Sequence, residues 1–253
     1  MSTHHSAQAF RLGLLVHGNK IWISEFLSIF FVSIILLTFF ALTLLIIIDE
    51  AVIHSNAQRI ATLSSQKQAM VKSLAELSSK VKIVDVMRVV LGDRLSAQTY
   101  SQLADLVQGN SSTFGYDPLL LLAVIKVESK FSAQASGQYK SGTASGAFGL
   151  MQLKLETAQE IAASLGMRVK NTGDLFRPDV NVALGVAYLT QLISQFRSFK
   201  LGLLAYNQGP GVILSQLAAQ QPLSNDYYHR VLRSYYKFRA ITDSLGMMGE
   251  VNK

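Results

Sequence analysis

Phe26 to Ile48 is a run of 23 residues without a charged side chain, and its hydroxyl groups are confined to Ser28, Ser33, Thr38 and Thr43. A lipid bilayer needs about 20 apolar residues of helix to be crossed. A buried core helix rarely stays uncharged so long, so the run is expected to span a membrane. Arg11 and Lys20 precede it, with Glu25 at its edge; Asp49 and Glu50 follow, and the next base is Arg59. The bias of basic residues puts the N-terminus in the cytoplasm and the rest of the chain outside. The run also exceeds the apolar core of a secretory signal, which is about 7–15 residues. The small residues Ser55, Asn56 and Ala57 lie well past it. An uncleaved anchor is therefore expected.

The anchor divides the chain into a cytoplasmic tail at 1–25, a transmembrane helix at 26–48, a helical stalk at 49–94 and a domain at 95–253. In the stalk, Ile60, Leu63, Met70, Leu74, Leu77, Val81, Val84 and Leu91 alternate in spacings of three and four, with Lys67 and Arg88 filling two of the same slots. That heptad seam fits a parallel coiled coil, hence a homodimer, and fits equally a single helix laid on the next domain. The domain reads as all-α. Helices are expected at Gln98–Gln108, 118–129, Leu153–Leu165, Val180–Phe196, from Leu201 to a break at Gly209-Pro210-Gly211, and at Tyr227–Leu245. Gln134–Gly146, rich in Gly, Ser and Ala, reads as a loop, and no alternating strand pattern stands out. The net charge of +7 is dispersed, with no dense basic block, which fits an anionic partner but not nucleic acid. Without cysteine, disulfides and thiolate metal sites are excluded.

The chemistry starts with one carboxyl. Pro118 suits the first helical position and Asp117 can cap the N–H groups behind it. From Leu119 to Val127 only Lys126 is charged, and Leu121, Val124 and Ile125 share a face with Glu128. A carboxyl ending so apolar a helix is partly desolvated, which raises its pKa toward what a general acid needs. Downstream, Gly146-Ala-Phe-Gly-Leu-Met-Gln-Leu153 combines glycines at 146 and 149, which let backbone approach a ligand, with Met151 and the amide of Gln152, suited to sugar hydroxyls and N-acetyl groups. Ala205-Tyr-Asn-Gln-Gly-Pro-Gly211 sets Tyr206 and Asn207 directly before a forced turn. Tyr227, Tyr228, Tyr235 and Tyr236 add aromatic faces on which sugars can stack.

These stretches, in this order, resemble the soluble-lytic-transglycosylase-like catalytic domain of the lysozyme-like superfamily, an α-helical fold acting on peptidoglycan. The resemblance covers roughly residues 95–240. It rests on Glu128-Ser-Lys-Phe131, on Gly146–Leu153, on Leu175-Phe-Arg-Pro178 leading to Asn181-Val-Ala-Leu-Gly185-Val-Ala-Tyr188-Leu189, on Ala205–Gly211 and on Tyr227-Tyr-His-Arg-Val231. It implies that Glu128 is the single catalytic acid and base and that Ser129 supports the helix end. It also implies that Gly149, Met151, Gln152, Tyr188, Tyr206, Asn207 and Tyr227 line the substrate cleft, with Tyr227 facing the catalytic carboxyl. The loop between Glu128 and Gln152 is longer than the family's usual spacing. Ser136, Ser141 and Ser145 are equal candidates for the family's substrate-contacting serine.

After Glu128 the next acids are Glu156, Glu160, Asp174 and Asp179, none in a motif resembling a second catalytic acid. The two-carboxylate scheme of ordinary glycosidases therefore lacks an obvious partner. The resemblance implies instead non-hydrolytic cleavage of the MurNAc-β-1,4-GlcNAc bond to 1,6-anhydroMurNAc ends, with no cofactor and no metal. A lysozyme-like muramidase and a non-catalytic peptidoglycan-binding scaffold are the alternatives. The expected partners are glycan strands, the inner membrane through a single span and, for a tethered enzyme, an envelope machine whose identity the sequence does not give. The domain is expected in the periplasm.

Overall fold

The structure, a computed structural model, describes the backbone of residues 4–139 and 141–251 and the side chains of residues 25–139 and 141–246. The tail expected at 1–25 lies outside the described side chains except for Glu25. The chain forms two compact units, Met1–Val71 and Lys72–Lys253.

The described part of the first unit is helical and belongs to α1 (His4–Leu91). Within it, Phe26 is 78% exposed and Leu37 74% exposed, so the helix does not bury its own apolar surface. By length and composition the helix can cross a membrane. Its hydroxyls are satisfied inside the helix, as a membrane interior requires. Ser28, Ser33, Thr38 and Thr43 donate to the carbonyls of Glu25, Ile29, Ile35 and Phe40 at 2.8–2.9 Å.

The second unit takes in the last turns of α1, where Ile83, Val86 and Met87 are fully buried. The Tyr100 hydroxyl donates to the Gly92 carbonyl at 2.7 Å and closes the connection to α2 (Ala97–Phe114). Ser96 caps α2 through the Thr99 N–H, and Gly115 ends it. The helix runs past the expected end at Gln108. The Gly109-Asn-Ser-Ser-Thr113 run reads as a breaker, yet Val107 and Ser111 are buried in the core and carry the helix on.

At the centre lies α3 (Pro118–Ser129). Asp117 caps it, its Oδ1 accepting the Leu119 N–H at 2.8 Å and its Oδ2 the Tyr235 hydroxyl at 2.7 Å. Leu121 to Ile125 are all at most 2% exposed, so this helix is surrounded. It packs against α2 and against α8 (Asp226–Val251), which turns Tyr227, Val231 and Phe238 inward at helical spacing. Next come α4 (Leu155–Ser164), a short 3-10 turn (Thr172–Phe176), α5 (Pro178–Phe196), α6 (Phe199–Gln208) and α7 (Pro210–Ala218).

The stretch read as a loop holds β1 (Ser136–Gln138) and the start of β2 (Ala144–Phe148), and β3 (Leu153–Lys154) takes the first two residues of the expected helix; the three form a small antiparallel sheet in the order β1-β2-β3. Ser136 faces Phe148, and Phe148 faces Leu153. These strands are too short and too poor in apolar residues to show alternation, so nothing in their composition separates them from a loop. Close approach holds them instead. A Cβ on Gly137 would collide with the Ser145 hydroxyl and the Gln152 side chain.

Candidate active site

The site assembles on α3, the β2–β3 connection, α5, α6 and α8. Glu128 lies in the last turn of α3, which stops behind it because Lys130 (φ 54) and Phe131 (φ 69) both take left-handed backbone. That conformation is costly for a residue with a side chain, and for bulky Phe it is an outlier. Two such residues directly after Ser129 fix where the helix ends and the Glu128 carboxyl is presented. Glu128 is half-buried, its carboxyl surrounded by protein. Burial pushes its pKa up from 4.5 to about 7, against smaller downward pulls from the Tyr227 hydrogen bond and the Arg230 charge. Tyr227 is buried and its hydroxyl donates to Glu128 Oε1 at 2.5 Å. Burial and the neighbouring carboxylate hold the phenols of Tyr227 and Tyr206 well above their usual range, so both remain proton donors. Among the described residues, no second carboxylate contributes to the shift at Glu128.

Opposite α3, the Tyr206 hydroxyl donates to the Met151 carbonyl at 2.8 Å. The Tyr188 ring lies 5.4 Å from the Tyr206 ring at a tilt of 44°. Tyr188 and Tyr206 are both half-buried and so offer part of their faces to solvent. Asn207, next on α6, is exposed and makes no side-chain hydrogen bond among the described residues.

The segment carrying Gly149, Met151 and Gln152 is pinned from below by Asn181. That residue sits in the first turn of α5 with no exposed surface. Its Oδ1 accepts the Met151 N–H at 2.7 Å, and its Nδ2 donates to the Phe148 and Leu175 carbonyls at 2.9 Å each. Gly149 has φ +80, and a Cβ there would run into the Leu175 carbonyl and the Asn181 amide. Gly149→Ala is expected to destabilise the domain by at least about 2 kcal/mol, from backbone strain and overpacking together. Chemical denaturation checks this, and an unchanged midpoint would show that the segment can move aside.

Several expected site residues also make contacts within the protein itself. The Met151 side chain is fully buried over Gly185, so its backbone carbonyl is what it contributes beside Tyr206. Gln152 has φ 50, and its Nε2 donates to the Ala135 and Gly149 carbonyls at 3.1 and 2.8 Å, tying both ends of the β1–β3 region together. Ser129 is buried and returns its hydroxyl to the Ile125 carbonyl at 3.1 Å, within its own helix. Among the three loop serines, Ser145 lies against Gly137 and its hydroxyl accepts the Ala147 N–H, while Ser136 pairs with Phe148. Asn181 and Arg230 were not singled out from sequence. The signal for Asn181 was a polar residue entering an apolar helix; for Arg230 it was a cation one turn after Tyr227. Among the described residues no three His, Asp or Glu side chains gather into a group that could hold a metal ion.

Residues 105–228 match the family model of the transglycosylase SLT domain. The chain is similar to the endo-type membrane-bound lytic murein transglycosylase A of Salmonella typhimurium and of Salmonella gallinarum, 35% identical over 83 residues, which are 32% of this chain and 38% of each relative. It thus spans less than two fifths of those curated relatives. Among solved structures it is similar to the 70 kDa soluble lytic transglycosylase of Escherichia coli, with 24% identity and a TM-score of 0.45 over 54% of this chain and 24% of that one. It is also similar to the lytic transglycosylase Slt of Pseudomonas aeruginosa, with 27% identity and a TM-score of 0.39 over 58% of this chain and 24% of that one. A buried helix ending in a desolvated glutamate bonded by a tyrosine, faced by the Gly-Leu-Met-Gln and Ala-Tyr-Asn segments, is the part of the chain that this match covers. Residues 105–228, over which this site lies, are thus similar to the transglycosylase SLT domain.

Proposed function

We propose that the protein is a membrane-anchored lytic transglycosylase that cleaves the MurNAc-β-1,4-GlcNAc bond of peptidoglycan without water, with Glu128 as the only acid and base. The observation that carries this reading is the Glu128 carboxyl itself. Its pKa of about 7 leaves a large protonated fraction near neutrality, and no second carboxylate acts on it among the described residues. Tyr227 donates to Oε1, and Oε2 has no hydrogen-bond partner among the described residues, so it is the oxygen that would hold the proton.

The cycle then runs in two halves. Protonated Glu128 gives its proton to the glycosidic oxygen as the bond from that oxygen to C1 of MurNAc breaks, and GlcNAc departs as an alcohol. The substrate's own N-acetyl oxygen meets the positive charge at C1. Glu128, now a carboxylate steadied by the Tyr227 hydroxyl, takes the proton from the MurNAc 6-hydroxyl, and that oxygen closes onto C1. The enzyme ends the cycle protonated, as it began. Tyr188 and Tyr206 would receive sugar faces, and Asn207 would meet hydroxyls at the rim. Gly149, Met151 and Gln152 would shape the opposite wall, with Ser129 supporting the helix end.

The apolar helix and its flanking charges support an inner-membrane anchor with the N-terminus in the cytoplasm and the domain in the periplasm. The exposure of Ile60, Leu63 and Met70, at 61–74%, supports self-association along the stalk. An envelope machine would be a partner of the tethered domain.

Digestion of purified sacculi tests the activity. Soluble muropeptides with 1,6-anhydroMurNAc ends are expected by mass spectrometry. Reducing ends alone would favour a muramidase, and no release at all would favour a scaffold.

A further inference from the structure

Arg230 has no role in the cycle above, yet it is placed to affect it. It lies one turn after Tyr227 on α8, and its guanidinium sits over the Tyr227 ring, 5.6 Å from the centroid. The hydroxyl of that same ring holds Glu128. The ion pairs among the described residues are Lys80–Asp105 and Arg177–Asp179. Among the described residues Asp226, one turn before Arg230, forms no ion pair with it.

We propose that Arg230 is a positioning residue for the reaction: seated on the face of Tyr227, it holds the phenol against Glu128 and stabilises the carboxylate that the second half of the cycle requires. A cation over an aromatic face is attracted to the ring and restrains it. Its charge also favours the anionic form of a nearby carboxyl. Burial alone would leave Glu128 a willing holder of its proton but slow to give it up. The other titratable groups facing the carboxyl are neutral phenols, Tyr227 from α8 and Tyr206 from α6. Lys126 and Lys130 flank Glu128 in sequence, but Arg230 is the cation that acts on it. An exposed arginine could serve only as a surface charge, but the stacking on the one ring bonded to the acid sets it apart from Arg233 on the same helix.

The inference rests on Glu128 being the acid of the reaction. Its test uses the full chain in detergent micelles, as wild type, Arg230→Met and Arg230→Lys. The Glu128 carboxyl is followed by NMR with carboxyl-labelled glutamate and assigned by its loss in Glu128→Gln. In parallel, kcat/KM on sacculi is measured against pH. Arg230→Met is expected to move the Glu128 midpoint, and the falling limb of kcat/KM, to higher pH; Arg230→Lys is expected to return both most of the way. An unmoved midpoint in Arg230→Met, or a fall in kcat/KM with no change in its pH profile, would overturn the proposal. Movement of the midpoint in a protein that digests no sacculi would leave the effect of Arg230 on the carboxyl standing and overturn the proposed activity instead.

Discussion

Glu128→Gln is expected to lower peptidoglycan turnover by about 10²–10⁴-fold, the usual worth of a positioned acid or base. The upper end applies here, because one residue fills both roles. Glutamine keeps the size of the side chain and an oxygen to accept the Tyr227 hydroxyl, so the fold should survive. Stability should even improve under some conditions. The folded pKa of about 7 lies above the ordinary 4.5, so the folded state holds a proton that the unfolded state releases. Stability from this group is complete below about pH 4.5 and is lost as pH rises through about 7. Glutamine has no charge to desolvate, so the variant should exceed the wild type by about 2–3 kcal/mol above neutral pH and match it in acid. Thermal melts on either side of neutrality check the sign. In the wild type, kcat/KM should fall as pH rises through about 7, as the acid is lost. Wild-type turnover by the variant would remove Glu128 from the mechanism.

Asn181→Leu is expected to cost about 3–5 kcal/mol. Leucine fills similar space but strands the Met151 N–H and the Phe148 and Leu175 carbonyls, which Asn181 now satisfies. Each buried group left without a partner costs about 1–3 kcal/mol, with partial relaxation keeping the total below the sum. For a domain of this size the melting temperature should drop by roughly 10 °C. Activity should fall further than unfolding explains, because the Met151 carbonyl that positions Tyr206 loses its support. A variant within about 1 kcal/mol of the wild type would mean that water replaces the asparagine.

How far the sequence reveals this arrangement depends on whether a feature is local. The helix of Glu128 was legible because its signals lie within it: Asp117 as cap, Pro118 at the first turn, and apolar residues at three, four and seven positions before the carboxyl. The long apolar helix near the N-terminus was legible for the same reason. The β1–β3 sheet was not, since Ser-Gly-Gln and Ala-Ser-Gly-Ala-Phe carry no hydrophobic alternation and pair through backbone across a hairpin. The left-handed Lys130 and Phe131 were not either, since neither residue type favours that conformation and tertiary packing imposes it. The resemblance supplied Tyr227 as the partner of Glu128, 99 residues away, which periodicity could not. Asn181 stood inside a quoted motif, but only its three partners across the fold reveal what it does. Gln152 and Met151 add a role that their motif does not show: their side chains brace the segment they belong to.

In the proposed reaction, one carboxyl cleaves the glycan without water. Digestion of sacculi in heavy-oxygen water tests it most directly. If Glu128 works alone and the MurNAc 6-hydroxyl closes onto C1, the released MurNAc ends should carry no solvent oxygen and lack the elements of water. Heavy oxygen bound at C1 in the initial products would show that water is the nucleophile and would contradict the account.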